Sequence, residues 1–330
     1  MKKFLKTREF TLLLMIIFLI IIISIISPVF LTLQNFINIF KSNIVLAIIS
    51  MGMTVLLITG SIDVSVGSQL AVLSVIISKL TLIPDVNIFI IIIASIIMGI
   101  LLSSINGFIS IRANIPPIVV SFGTMGVYRG AILLYTNGVW VMSLPAWFTG
   151  IWRSYLGIPI PFYIFTIFLL LSWFMLNNTK IGRQIFAMGG NKNAALRAGI
   201  NIKNTTMFAF MYLGILMGIG SILYTAQTGF GSPVAGSGLE MSVIAAVIIG
   251  GASVYGGRGS IFATTLGVLL ISIIQNGLVL MRVSLYYQNV VNALIIIIAV
   301  TSDVLRQRKE KIRAFIIDID EKEKTILKKI

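Results

Sequence analysis

The chain has no cysteine and no histidine among its 330 residues. Disulfides, thiol catalysis and histidine-containing metal sites are therefore excluded. Histidine general bases and histidine proton relays go with them. Charge is scarce too. Only 11% of residues are charged, and Asp plus Glu number 10 against 25 Lys plus Arg. Globular domains carry about 25% charged residues, so too little charge is left to clothe a soluble surface of this size. A G-x-x-x-x-G-K-[ST] phosphate loop is also missing, so no nucleotide-driven motor of that type lies in this chain.

Apolar sequence fills the space left by charge. Hydrophobic residues make up 58% of the chain, and the mean hydropathy is +1.05. Runs near the ~20 residues needed to cross a bilayer recur throughout, without the alternation of barrel strands. The expected fold class is all-α, a polytopic membrane protein with about ten transmembrane helices. The expected spans are Phe10–Ser27, Ile44–Thr59, Val66–Ile83, Ile88–Phe108, Pro116–Tyr135, Pro161–Leu176, Met207–Ala226, Met241–Ala252, Ser260–Met281 and Leu285–Ser302.

The formal charge of +15 does not indicate nucleic acid, because the bases are sorted by side. With both termini on one face, that face holds twenty basic residues, including five between Thr179 and Thr206 and nine in the tail. The other face holds four, Lys41, Lys79, Arg153 and Arg282, while Arg129 falls inside a span. Basic loops stay cytoplasmic, so both termini are expected inside. "MKKFLKTREF" and its apolar run imitate a secretory signal, but no A-x-A-like site follows. An uncleaved first helix is expected.

The chain contains an internal echo. "TGSIDVSVGSQL" (Thr59–Leu70) and "TGFGSPVAGSGL" (Thr228–Leu239) share T-G-x6-G-S-x-L at an offset of 169 residues. "NGFISIRANI" (Asn106–Ile115) and "NGLVLMRVSL" (Asn276–Leu285) share N-G and a following Arg at an offset of 170. Two pairs at nearly one offset point to a duplication. Five spans per unit make the second copy insert upside down, an inverted 5+5 repeat. Matching Gly-interrupted segments in inverted halves mark a translocation path. The expected single permease domain covers 1–305, with halves of about 10–176 and 177–302, followed by a charged cytoplasmic tail over 306–330.

The path and gate candidates are therefore Thr59, Gly60, Asp63, Ser65, Gly67, Asn106, Thr228, Gly229, Glu240 and Asn276. Asp63 has two readings. A charge at mid-membrane costs about 2.5–3.5 kcal/mol and marks a watery or protein-lined space, where Asp63 would have a direct substrate or gating role. Alternatively, Asp63 sits in a tight turn and caps the helix that begins near Val64. Glu240 reads as a helix N-terminal charge or gate residue, and Arg129 as a path residue or as a partner to carbonyls.

The most informative polar stretch is "TKIGRQIFAMGGNKNAALRAGINIKNTT" (Thr179–Thr206), with five bases and no acid. Asn191 is a fitting N-cap, Ala194, Ala195 and Leu196 favour helix, and Gly199 supplies a stop. A two-turn helix is marginal alone in water, so it is expected to dock on a partner.

"TGSIDVSVGS", "GGNKNAALRAGI", "IAAVIIGGASVYGGRGS" and "VSLYYQNVVNALIIIIAV" together resemble the permease subunits of ABC importers for ribose and related sugars, over roughly residues 10 to 305. The chain departs from the common "TGGIDLSVG" at Ser61 and Val64. "GTMGVYRGAILLYTNGVWVMSLPAWF" (Gly123–Phe148) resembles autoinducer-2 and rhamnose permeases in particular. The resemblance implies a coupling helix that fits a groove on a cytoplasmic ATPase, with Gly190, Asn191, Ala194, Ala195 and Gly199 as contact positions. It also implies an extracytoplasmic sugar-binding protein, a second permease chain, identical or homologous, and a bacterial plasma membrane location. No cofactor and no catalytic residue are implied; ATP hydrolysis would lie in the partner. The rival is an ion-coupled secondary transporter using Asp63 and Glu240, which explains the repeat but not the docking loop. A membrane-embedded enzyme lacks any nucleophile–base or metal constellation.

Overall fold

A computed structural model gives the fold over residues 8–284 and at scattered positions from 287 to 301. Half of the expected tenth span, Leu285–Ser302, and the whole tail 306–330 lie outside the described residues. Among the described residues the chain is mostly helical. The helices are α1 (Arg8–Ile26), α2 (Leu33–Ile58), α3 (Val66–Thr81), α4 (Ile88–Ala113), α5 (Pro117–Thr136), α6 (Ala146–Thr149), α7 (Ile160–Asn178), α8 (Lys180–Gly190), α9 (Lys192–Arg197), α10 (Ile202–Thr228), α11 (Leu239–Ile249) and α12 (Ile261–Leu280). Each of the first nine expected spans falls on one of these helices. Seven of the described helices, α1, α2, α4, α5, α7, α10 and α12, are long and apolar enough to cross a membrane. The protein is a multi-pass membrane protein.

Two expected spans, Val66–Ile83 and Met241–Ala252, are short helices: α3, of 16 residues, and α11, of 11. At 1.5 Å per residue these reach only about 24 and 16 Å, short of a hydrocarbon core of about 30 Å. An irregular segment precedes each, Thr59–Ser65 before α3 and Gly229–Gly238 before α11. Irregular backbone within a membrane is tolerated only where protein or water satisfies its polar groups.

Two other helices run longer than their apolar cores. α2 begins at Leu33, capped by the Thr32 hydroxyl, which accepts the Asn35 N–H at 3.3 Å. α10 begins at Ile202, where the Asn201 side chain accepts the Asn204 N–H at 3.1 Å. The connector between α5 and α7 is not purely helical: β1 (Ser154–Tyr155) and β2 (Ile158–Pro159) pair antiparallel, after a 3-10 turn over Gly150–Trp152.

α2 and α10 form the core of the bundle, buried along most of their length, while α1, α5 and α7 are largely exposed. Exposed residues such as Leu134 and Ile25, 80% and 79% accessible, are in keeping with a lipid-facing surface. α4 lies along α10 at backbone contact, where a Cβ on Gly214 would fall 2.5 Å from the Gly99 carbonyl oxygen. Small residues at such crossings let membrane helices pack where no hydrophobic force drives them together.

Candidate functional site

The first helix break is built by glycine and then sealed by polar side chains. Gly60, at φ +80°, lets α2 end in a Schellman motif, with Gly60 N–H donating to Leu57 O at 2.8 Å and Ser61 N–H to Leu56 O at 3.3 Å. Three residues on, Asp63 is fully buried. Its Oδ1 accepts the Ser65 N–H at 2.8 Å and the Ser65 hydroxyl at 2.6 Å. Its Oδ2 accepts Gln69 Nε2 at 3.1 Å and Asn106 Nδ2 at 2.9 Å. Those amides reach onward: Ser103 Oγ donates to Gln69 Oε1 at 2.8 Å, and Thr124 Oγ1 to Asn106 Oδ1 at 2.6 Å. The Val64 N–H donates to Ser121 Oγ at 3.0 Å.

One carboxylate thus ties the break to α3, α4 and α5. The Asp63 side chain closes a turn ahead of α3, whose N-cap is Ser65. Gln69, Ser103, Ser121 and Thr124 were not singled out by the sequence. Ser121 and Thr124 also bond the carbonyls three residues back, Ile118 O and Ser121 O, a pattern common in apolar helices, and only tertiary contact reveals the four as a network.

The second break is open where the first is closed. α10 ends at Thr228, with Gly229 at φ +74°. Gly231 and Val141 then exchange backbone hydrogen bonds of 2.9 Å. Arg129 of α5 donates from one guanidinium nitrogen to the carbonyls of Pro233 and Ala235, both at 2.8 Å. α11 starts immediately after Gly238, whose N–H donates to Glu240 Oε1 at 3.2 Å. Ser237 and Gly238 are exposed, while Glu240 and Arg129 are half-buried.

The two breaks touch. A Cβ on Gly236 would fall 2.6 Å from Gly67 O and 3.1 Å from Gly67 Cα, and one on Gly67 would overlap Glu240. Gly67 and Gly236 are the matching glycines of the two T-G-x6-G-S-x-L motifs. Asn276 sits apart from them, exchanging reciprocal amide hydrogen bonds of 3.0 and 2.9 Å with Asn35. The ten path candidates are therefore divided. Asp63, Ser65 and Asn106 share one network, Gly67 and Glu240 meet at the second break, and Thr59 and Gly60 face a cavity of the basic loop. Thr228 and Gly229 lie at the other end of α10.

That loop holds two helices where the sequence reading expects one. Thr179 caps α8, accepting the Gly182 N–H at 3.2 Å. Asn191 caps α9, accepting the Ala194 N–H at 3.0 Å. Gly199, at φ +78°, closes α9 in a second Schellman motif, with Ile200 N–H donating to Ala195 O at 3.0 Å. Of the five expected contact positions, Gly190, Asn191, Ala194 and Gly199 are exposed. Ala195 is a correction, since it is only 3% accessible and faces inward. Beside α9 lies a cavity of about 1120 Å³, bordered by Thr59, Gly60, Asn114, Lys192, Leu196 and Tyr255 among others.

The family described as branched-chain amino acid transport system / permease component matches residues 35–300 of the chain. The chain is 36% identical over 296 residues to the ribose import permease protein of Escherichia coli K12, covering 88% of this chain and 91% of that one. It is 35% identical over 275 residues to the D-allose transport system permease protein of the same strain, covering 83% and 84%. It is also 32% identical over 299 residues to the autoinducer 2 import system permease protein of Klebsiella pneumoniae, covering 90% and 86%. No solved structure gives a significant match. With a family match across most of its length and relatives above 30% identity along nearly their whole chains, this protein belongs to the permease components of the branched-chain amino acid transport family.

Proposed function

We propose that the chain is the membrane-spanning subunit of an ATP-driven importer, forming the path for a sugar or sugar-like solute of the ribose, autoinducer-2 or rhamnose class. The observation that carries this is the near end-to-end similarity to import permeases for ribose, D-allose and autoinducer 2. A partner ATPase supplies the energy, a binding protein delivers the solute outside, and a second permease chain completes the path. The chain itself is not an enzyme.

The halves 10–176 and 177–302 form one permease domain of ten helices as an inverted repeat, with the tail 306–330 in the cytoplasm beside the N-terminus. Support comes from helix order: α2 and α10 begin 169 residues apart, each is followed by a glycine break and a short helix, and the two short helices start against one another. The reading places the path beside that meeting point, where Ser237, Glu240 and Arg129 offer polar groups to a hydroxylated solute. Discontinuous helices that meet at depth are the usual setting for such sites. Asp63 and its partners hold the break in shape next to the path, and α9 docks on the ATPase through its exposed face.

The test is copurification of the importer from membranes through a tag on this chain. The expected result is an ATPase recovered with the parent and lost from Ala194→Arg, which puts a bulky charge on the exposed side of α9. Recovery of the ATPase with both chains, with equal uptake, removes α9 from the contact.

A further inference from the structure

Three segments far apart in sequence meet backbone to backbone below the basic loop. The Gly257 N–H donates to Ile58 O, the last residue of α2, at 2.8 Å. A Cβ on Gly189, in the last turn of α8, would overlap both that carbonyl and the Gly257 nitrogen. A Cβ on Gly256 would fall 2.9 Å from Gly60 N and 3.0 Å from both Gly189 Cα and Gly189 O. One on Gly257 would fall 2.8 Å from Gly190 Cα. Gly256 and Gly257 hold φ of +89° and +75°, which is how the 253–259 connection presents bare backbone to both neighbours.

No layer of side chains cushions these contacts. Side chains rotate and absorb displacement, whereas close-packed backbone passes it on. The partners are also informative. α8 leads directly into α9, Ile58–Gly60 opens the break that feeds α3, and the 253–259 connection is the C-terminal exit of α11. The junction therefore holds the entry to α3, through the 61–65 break, and the exit of α11, two helices whose starts touch at Gly67 and Gly236. The cavity bordered by Gly60, Lys192 and Tyr255 lies alongside, giving these segments room to shift.

We infer that this glycine junction transmits movement of the α8–α9 loop to both discontinuous helices at once, with Gly189, Gly256 and Gly257 as positioning residues for transport. The inference rests on the ATPase-coupled reading above. When the ATPase displaces α9, the α2 break and the α11 exit move with it, and the meeting point of the two breaks opens or closes.

The test uses the complete importer in lipid, carrying Ser61→Cys as the single cysteine. Ser61 is 6% accessible and belongs to the break. Thiol labelling is compared in nucleotide-free and ATP-bound states, with and without Gly189→Ala. The expected result is an ATP-dependent change in labelling rate of about fivefold or more, which Gly189→Ala abolishes; this variant retains the ATPase and its hydrolysis but loses about tenfold in uptake. Labelling that is indifferent to ATP in the parent overturns the inference. So does Gly189→Ala with parental uptake, or loss of the ATPase from that variant, which makes the junction a docking scaffold. Should Gly189→Ala fail to accumulate, the parental comparison decides alone. Failure of the importer reading itself shows separately, as a parent that recovers no ATPase.

Discussion

Replacing Asp63 by alanine removes the one acceptor group on which the first break converges. The Ser65 N–H loses its partner at 2.8 Å and is left buried. Ser65 Oγ loses its acceptor, whereas Gln69 Nε2 and Asn106 Nδ2 each keep a 2.8 Å bond to Ser65 Oγ. An orphaned buried donor costs about 1–3 kcal/mol, and each lost bond to a charged group about 1.5–3. Relief from burying a carboxylate offsets part of that, leaving about 3–5 kcal/mol. Asp63→Asn retains Oδ1 for both Ser65 donors and costs less, about 1–3 kcal/mol, mainly where its NH2 faces the two amides. Thermal unfolding of the detergent-purified chain, followed by size-exclusion fluorescence, should rank parent above Asn above Ala, with membrane abundance in the same order. An Asp63→Ala chain that matches the parent in abundance and melting but does not transport refutes the reasoning. Asp63 would then act on solute or gate rather than on the shape of the break.

The basic loop gives a paired prediction. Ala195→Arg forces a charge into a buried position and should lower abundance severalfold in membrane immunoblots, whereas Ala194→Arg should leave abundance unchanged and cost ATPase recovery. Asn35→Ala should destabilise the chain by about 1–3 kcal/mol by orphaning Asn276 and Phe30 O, with Asn276→Ala costing less because Asn35 keeps its bond to Phe30 O, and the double substitution less than additive in unfolding measurements. For topology, single cysteines at Lys192 and Ser154 should differ in intact cells, an impermeant thiol reagent labelling Ser154→Cys and sparing Lys192→Cys.

The parts of the fold that depend on local chemistry were readable. Apolar runs located the membrane helices because the bilayer admits few other segments. Asn191 and Gly199 bounded α9 because capping is settled within a few residues. The two T-G motifs marked helix ends because an αL glycine is needed there. The parts that depend on tertiary partners were not readable. The first turns of α2 look like a loop, with Gln34, Asn35, Asn38, Lys41, Ser42 and Asn43, until Asn35 is seen to bond Phe30 O and Asn276. α8 resembled a connector because its buried side is only Gly182, Ile185 and Met188. Ala195 illustrates the same limit at one residue: a six-residue helix is too short for periodicity to separate its buried side from its exposed one.

The central claim is that this chain conducts a sugar-like solute only when driven by a partner ATPase. The direct measurement is uptake into proteoliposomes holding the chain with its ATPase inside and its binding protein, loaded with radiolabelled ribose or autoinducer 2, outside. The account predicts accumulation that requires ATP in the lumen and is indifferent to ionophores. Accumulation that persists without ATP and collapses with an ionophore would contradict it and favour ion coupling.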